Sequence, residues 1–230
     1  MGADSGEDGI DKVKSQLIVE KIKSIKMNEQ VEEDELRRRL LELVDSTSVV
    51  LDCGKSLREY HHQVKNKVKL LHTIDINKFS DYPDYLIDIC DRKKMNKLRR
   101  KYDFISSFSL LEHCYDPISA SANLFDSLKP GGVLIGSAPF LFPRHSPDDL
   151  SYQDFFRFTR DAYVILFPNA SAIELWPLRG RVATSLNVLS TRYRFFFEKR
   201  FSSIAKHINK FGSEDRQSLQ SSGYGFLIKN

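Results

Sequence analysis

Three short apolar runs in this chain each carry an aspartate at or beside their C-terminal end: Ser48-Val49-Val50-Leu51-Asp52, Leu70-Leu71-His72-Thr73-Ile74-Asp75 and Tyr85-Leu86-Ile87-Asp88-Ile89. A run that is apolar on both sides of the chain cannot expose either face, so it reads as a strand buried in a parallel sheet. Tyr102 to Ser107 is a fourth run, and Val133 to Ala138, closed by Pro139, a fifth. Between the third and fourth lies the charged, helix-prone stretch Asp91 to Arg100. Asp116 to Leu128 reads as a helix, stopped by Lys129-Pro130-Gly131-Gly132. Strands alternating with helices predict an α/β fold, a mostly parallel sheet with helices on both faces.

Two helices are expected ahead of this pattern. Val13, Leu17, Ile18, Ile22 and Ile25 recur at helical spacing over Asp11 to Met27, and Val31, Leu36, Leu40, Leu41 and Val44 do so over Glu29 to Val44. They form an N-terminal helical extension that packs on the following domain or on another copy of the chain, which leaves room for a homo-oligomer. The expected division is residues 1–46 for tail and helices and 47–230 for the domain, with 1–8 disordered. Arg160 to Phe167 is a helix candidate, Ala172 to Trp176 and Gly223 to Lys229 are strand candidates, and 195–210 reads as a basic helix. Residues 140–158 read as a loop, and 178–191 have no clear period.

Composition excludes several classes. No apolar run approaches the roughly 20 residues that span a bilayer. The acidic, polar N-terminus is unlike a secretory signal, and Gly6 stands where a myristoylation signal needs Ser or Thr. Cys53, Cys90 and Cys114 are odd in number and irregular in spacing, which argues against a disulfide framework or a zinc knot and suits a reducing cytoplasm. No metal ligand set stands out. The net charge of +4 is too small to point to nucleic acid. Its one concentration, Arg192, Arg194, Lys199, Arg200, Lys206 and Lys210 against Glu198, reads first as a solvated helix face.

The carboxyl ends of parallel strands lie along one edge, where doubly wound folds bind ligands. Asp52, Asp75 and Asp88 fall on that edge. Gly54 permits a tight turn, and an acid about 20 residues beyond a glycine turn can accept from both hydroxyls of a ribose. Asp75 meets that spacing. A strand-end aspartate is equally at home as a helix cap.

Residues 49–139 resemble the class I S-adenosylmethionine-dependent methyltransferases. VVLDCGKS is similar to their first motif, TIDIN to the second strand with its ribose acid, and YLIDICD to the adenine segment. YDFISSFSLLEHCYDPISASANLFDSLKPGGVLIGSAPF, with its LLEH, DP and LKPGG elements, resembles a subgroup common among bacterial small-molecule and glycan-modifying methyltransferases. PRHSPDD and FFRFT resemble that subgroup too, and the terminal GYGFLIK resembles the family's last strand. The resemblance implies a Rossmann-like fold with S-adenosylmethionine as cofactor. It implies that Asp52, Cys53, Gly54 and Lys55 wrap the methionine end with backbone groups. Asp75 holds the ribose hydroxyls with Ile76 against the adenine, Asp88 accepts from the adenine amino group beside Ile89, and Ser107 and Phe108 line the cleft near the sulfonium. In one departure, Ser56 replaces the family's usual second glycine.

Methyl transfer from a sulfonium needs alignment above all, and a hydroxyl acceptor gains from a general base. His145 and His113 are the candidates, each with a structural alternative: ordering the PRHSPDD turn for His145, packing or capping for His113. Asp148, Asp149 and Arg157 are candidates for shaping an acceptor pocket, or for forming turns. Phenylalanines 195–197 read as core or interface. The expected function is methylation of a small-molecule or glycan acceptor at oxygen or nitrogen. The alternatives are a scaffold that no longer takes the cofactor, a nucleic-acid or protein methyltransferase, and a dinucleotide oxidoreductase, the last disfavoured by an incomplete glycine fingerprint.

Overall fold

The computed structural model describes residues 7–147, 151–180, 184 and 221–230. The strands are β1 (Lys26–Met27), β2 (Val49–Cys53), β3 (Leu70–Asp75), β4 (Tyr85–Leu86), β5 (Tyr102–Phe108), β6 (Leu128–Pro139), β7 (Ala172–Leu178) and β8 (Gly223–Lys229). They form one sheet in the order β1-β7-β8-β6-β5-β2-β3-β4. Only β8 runs antiparallel to its neighbours β6 and β7. The helices are α1 (Glu7–Lys23), α2 (Glu33–Leu43), α3 (His61–Lys67), α4 (Arg92–Met95), α5 (Pro117–Ser127) and α6 (Ala162–Leu166). The chain is therefore the Rossmann-like α/β fold expected. From β2 it winds outward through β3 and β4 on one side and through β5 and β6 on the other. That reversal opens a crevice at the carboxyl ends of β2 and β5.

Alternation along the strands feeds a core on each face. Val50 belongs to a core shared with Leu36 and Leu40 of α2, Val64 of α3, Phe108, Ile135 and Trp176. Leu51 and Cys53 belong to the other core, which also holds Leu124 of α5 and Tyr163 and Leu166 of α6. Leu36 and Leu40, one turn apart, are fully buried, and each such leucine contributes roughly 1.5–3 kcal/mol. α2 approaches β8 so closely that a Cβ on Gly225 would lie 2.0 Å from Leu36 Cδ1. The same intimacy holds inside the sheet, where a Cβ on Gly136 would lie 1.9 Å from the Ser107 carbonyl oxygen.

Several boundaries differ from expectation for identifiable reasons. The first helix starts at Glu7, inside the stretch read as disordered, and ends at Lys23 rather than Met27. Lys26 and Met27 instead pair with Glu174 and Leu175 as an edge strand. The third predicted strand stops at Leu86. There the Asp88 carboxylate turns back to accept the Cys90 amide at 2.8 Å, a local turn that ends the ladder. The helix expected over Asp91 to Arg100 is a single turn capped by Asp91, followed by a 3-10 turn at Asn96–Leu98. α3 has no counterpart in the sequence reading, because Val64 is its one buried residue and leaves no apolar stripe to detect. β6 begins at Leu128, with a register irregularity where Gly131 adopts φ 78°. The disordered reading of 1–6, Asp148 and Asp149, the basic stretch 192–210 and phenylalanines 195–197 lie outside the described residues.

Candidate functional site

A cleft of about 660 Å3 opens at the carboxyl edge of the sheet, within the 300–1,000 Å3 typical of sites for small organic ligands. Gly54, Lys55, Asp75, Ile76, Asp88, Ile89, Phe108, His113 and His145 all line it. Asp52, Cys53 and Ser107 do not; their side chains are fully buried behind the wall. The three strand-end aspartates, alike in sequence, thus take different positions.

Asp52 is an anchor. Its Oδ1 accepts from the Ser56 hydroxyl at 2.9 Å, the Ser106 hydroxyl at 2.9 Å and the Leu57 amide at 3.2 Å. His61 Nδ1 lies 3.3 Å from its Oδ2. This carboxylate ties the turn after β2 to β5. The backbone of that turn is left-handed at Gly54 (φ 66°) and at Lys55 (φ 51°), but not at Ser56. Ser56 therefore needs no glycine, and its hydroxyl is turned onto Asp52. Gly54 does need to be glycine: beyond its φ, an added Cβ would lie 3.0 Å from Leu110 Cδ1. Lys55 bears the left-handed conformation, at a cost of roughly 1–2 kcal/mol. Its amide donates to the Tyr82 hydroxyl at 2.6 Å, and its ammonium sits 4.1 Å over the Phe79 ring.

Asp75 and Asp88 stand at neighbouring tips on the cleft. Asp75 accepts from the Asn77 amide at 2.8 Å, and burial holds its carboxyl above the ordinary value despite that amide and the amide of Ile76. Ile76 is exposed on the cleft rim, whereas Ile89 is buried in its wall.

The opposite wall comes partly from α2. Glu33 accepts from Ser109 at 3.1 Å and from the Ser137 hydroxyl, and it pairs with Arg37 at 2.8 Å. Burial alone would raise the Glu33 carboxyl, but the Arg37 charge and the hydrogen bonds from Ser137, Arg37 and Ser109 outweigh it and hold it below the ordinary range. Arg37 is buried, donates from Nε to the Ser56 carbonyl at 2.8 Å and lies 4.6 Å over the Phe108 ring. One guanidinium thus joins α2, the turn after β2 and the tip of β5.

At the far end, a 3-10 turn at Leu111–His113 after β5 presents Glu112 and His113. The Glu112 carbonyl accepts the Phe155 amide at 2.8 Å, which brings the loop after β6 over the turn. Its carboxylate is fully buried, and neither oxygen has a hydrogen-bond partner among the described residues. Glu112 Oε1 lies 3.7 Å from His145 Nε2 and 3.8 Å from His113 Nε2. The imidazole rings meet edge to face at 4.9 Å. His145 is held by its amide, which donates to Asp154 Oδ2 at 2.9 Å. Asp154 pairs in turn with Arg157, which also donates to the carbonyls of Phe142 and Pro143. The Arg157 guanidinium holds the Asp154 carboxyl down to about 2, and Glu112 is the chief cause of a raised His145 pKa. Arg157 is thus a loop clamp rather than a cleft-lining group.

Sequence reasoning missed Glu33, Arg37 and Glu112. Glu112 had a signal, an acid beside His113 in a strand-tip turn. Glu33 and Arg37 had none, because they sit in a helix far from the motifs along the chain.

Residues 27–179 match the family model described as a methyltransferase domain. No curated protein matches the chain significantly. Among solved structures, a SAM dependent methyltransferase from Archaeoglobus fulgidus is similar at TM-score 0.54 and 11% identity, over 86% of this chain and 95% of its own. An S-adenosylmethionine dependent methyltransferase from Mesorhizobium loti is similar at TM-score 0.55 and 12% identity, over 86% and 97%. The cyclase SpnF is similar at TM-score 0.52 and 12% identity, over 94% of both chains. At such identities the likeness is one of fold.

Proposed function

Since the chain belongs to the methyltransferase domain family and takes S-adenosylmethionine as its cofactor, we propose that it methylates a small-molecule or sugar-containing acceptor at oxygen or nitrogen. The observation that carries this reading is the single cleft running from the tips of β3 and β4 to the Glu112–His113–His145 cluster. One end suits an adenosyl group and the other a polar acceptor. The residues present fit the cofactor: two strand-tip carboxylates on the cleft that each accept a local backbone amide and keep acceptor capacity to spare, a left-handed glycine turn, and flanking isoleucines. Bound there, S-adenosylmethionine supplies a methyl group activated on a sulfonium.

This chain's own residues do the rest. The Gly54–Ser56 turn would receive the methionine end, held in shape by Asp52 and Arg37. Asp75 would accept from the ribose hydroxyls and Asp88 from the adenine amino group, with Ile76 and Ile89 on the ring. Phe108 would lie beside the reacting centre. His113 and His145 would face the acceptor, with Phe142, Tyr152 and Phe155 screening it from water. Such a concave, aromatic-walled end supports a small acceptor over a polymer.

Calorimetric titration with S-adenosylmethionine and S-adenosylhomocysteine tests the first half. Saturable binding to wild type and a marked loss in Asp75→Ala are expected. No heat at about 1 mM ligand, the level of a −4 kcal/mol interaction, would refute the reading. Mass spectrometry of acceptor mixtures tests the second half: methylation confined to RNA or protein, with hydroxylated and amino small molecules untouched, would overturn it.

A further inference from the structure

We propose that Glu112, His113 and His145 bind one divalent transition-metal cation at the acceptor end of the cleft. Glu112 lies within 4 Å of both imidazoles. Its side chain is wholly removed from solvent, yet among the described residues neither carboxylate oxygen has a hydrogen-bond partner. A buried carboxylate left that way costs several kcal/mol, so the site calls for a cation. The two nearest donors are both imidazole Nε2 atoms, at 3.7 and 3.8 Å, and the candidate donor atoms of the three residues all lie within 4.8 Å of one another. Donors around a cation bound at about 2.0–2.2 Å sit slightly closer than this, so side-chain movements of under about 1 Å complete the set.

The orientation of the His113 ring supports ligation. His113 Nδ1 is hydrogen-bonded to the Gln153 carbonyl, whereas His145 Nδ1 lies 3.2 Å from Asp154 Oδ2 without the geometry of a hydrogen bond. A ring whose Nδ1 is turned to a carbonyl or carboxylate keeps its Nε2 lone pair for a metal, the usual arrangement behind ligating histidines. Here both Nε2 atoms aim at the same orphan carboxylate. Two imidazoles and one carboxylate favour zinc, manganese, iron or cobalt over magnesium or calcium. All three residues line the cleft, so open coordination positions face it. If the acceptor reading above holds, an acceptor hydroxyl bound at such a position would release its proton to water more easily, one proton lost per methyl gained. Metal binding itself does not depend on that reading.

The test uses tag-free, chelator-treated full-length protein titrated with cobalt(II) chloride, followed by visible absorption and calorimetry. Expected are one cobalt per chain, the weak bands of nitrogen and oxygen ligation, displacement by zinc, and at least a tenfold loss of affinity in His145→Ala with unchanged melting temperature. Glu112→Gln provides a second variant, with His145→Gln in reserve should either fail to fold. The proposal falls if wild type takes up no cobalt or zinc. It also falls if an intense thiolate band places the metal on Cys90 and Cys114, or if folded variants bind as tightly as wild type. A parallel titration with S-adenosylhomocysteine separates the two readings. Cofactor binding without metal binding sinks this inference alone, and metal binding without cofactor binding sinks the methyltransferase reading alone.

Discussion

Asp52→Ala and Asp75→Ala should fail in opposite ways, although the two residues occupy equivalent strand-end positions. Removing the Asp52 carboxylate strands the Leu57 amide and the hydroxyls of Ser56 and Ser106, all in the interior. Each buried donor left without an acceptor costs about 1–3 kcal/mol. One hydroxyl can rotate toward another acceptor, so the amide and one hydroxyl set the expected loss at about 4 kcal/mol. That is a large share of the roughly 5–15 kcal/mol that holds a domain together, and at this chain length it lowers the melting temperature by about 10 °C. Asp75 differs. Its side chain takes one local amide, from Asn77, and burial disfavours its charge. Its removal should change stability by no more than about 0.5 kcal/mol. Loss of charge-assisted hydrogen bonds to the ribose should cost about 2–3 kcal/mol of cofactor binding, a weakening of roughly 30- to 150-fold. Thermal melts and calorimetric titrations of both variants read the two quantities independently. A large melting shift in Asp75→Ala, or an unshifted melt in Asp52→Ala, would refute the division of labour between anchor and ligand.

Three other outcomes follow from the same contacts. Arg37→Met leaves Glu33 half-buried without its counter-charge and frees the Ser56 carbonyl, so urea unfolding should show a loss of about 3–5 kcal/mol. Gly136→Ala sets a Cβ against backbone that cannot yield, and its loss should reach or exceed about 3 kcal/mol, seen as a lowered urea midpoint or insoluble expression. Glu33, whose folded pKa lies below its ordinary 4.5, contributes stability above that pH and loses it as the pH falls through the lower folded value. The stability difference between wild type and Glu33→Gln should therefore stay level from about pH 7 to 5 and shrink in more acidic solution; a gap that widens on acidification would contradict the assigned direction.

Much of the architecture was legible because burial on both faces leaves a local mark. Val50 and Leu51 face opposite cores, and both must be apolar, so β2 could be read from five consecutive residues. The same held for β3, β5 and the core of β6, and for α5, marked by Asp116 at its start and Lys129-Pro130-Gly131-Gly132 after its end. Elements held by few contacts were not legible. α3 buries one side chain, and β1 exists because β7 offers it an edge. Asp75 and Asp88 could be placed on the ligand edge because a strand end has a defined side. Whether Asp52 faced that edge or the interior could not be read, since both outcomes use the same residue at the same spacing.

The residues by themselves determined the alternation of strand and helix, the glycine turn and the acids at the strand tips, because each depends on neighbours within a few positions. The tertiary structure alone decided which distant groups meet. Glu33 reaches Ser109 across 76 residues and Ser137 across 104. Glu112 acquires His145 only when the loop after β6 folds over the turn after β5. Sheet order and helix packing bring these groups together, and no local periodicity encodes the distance between two side chains on different elements.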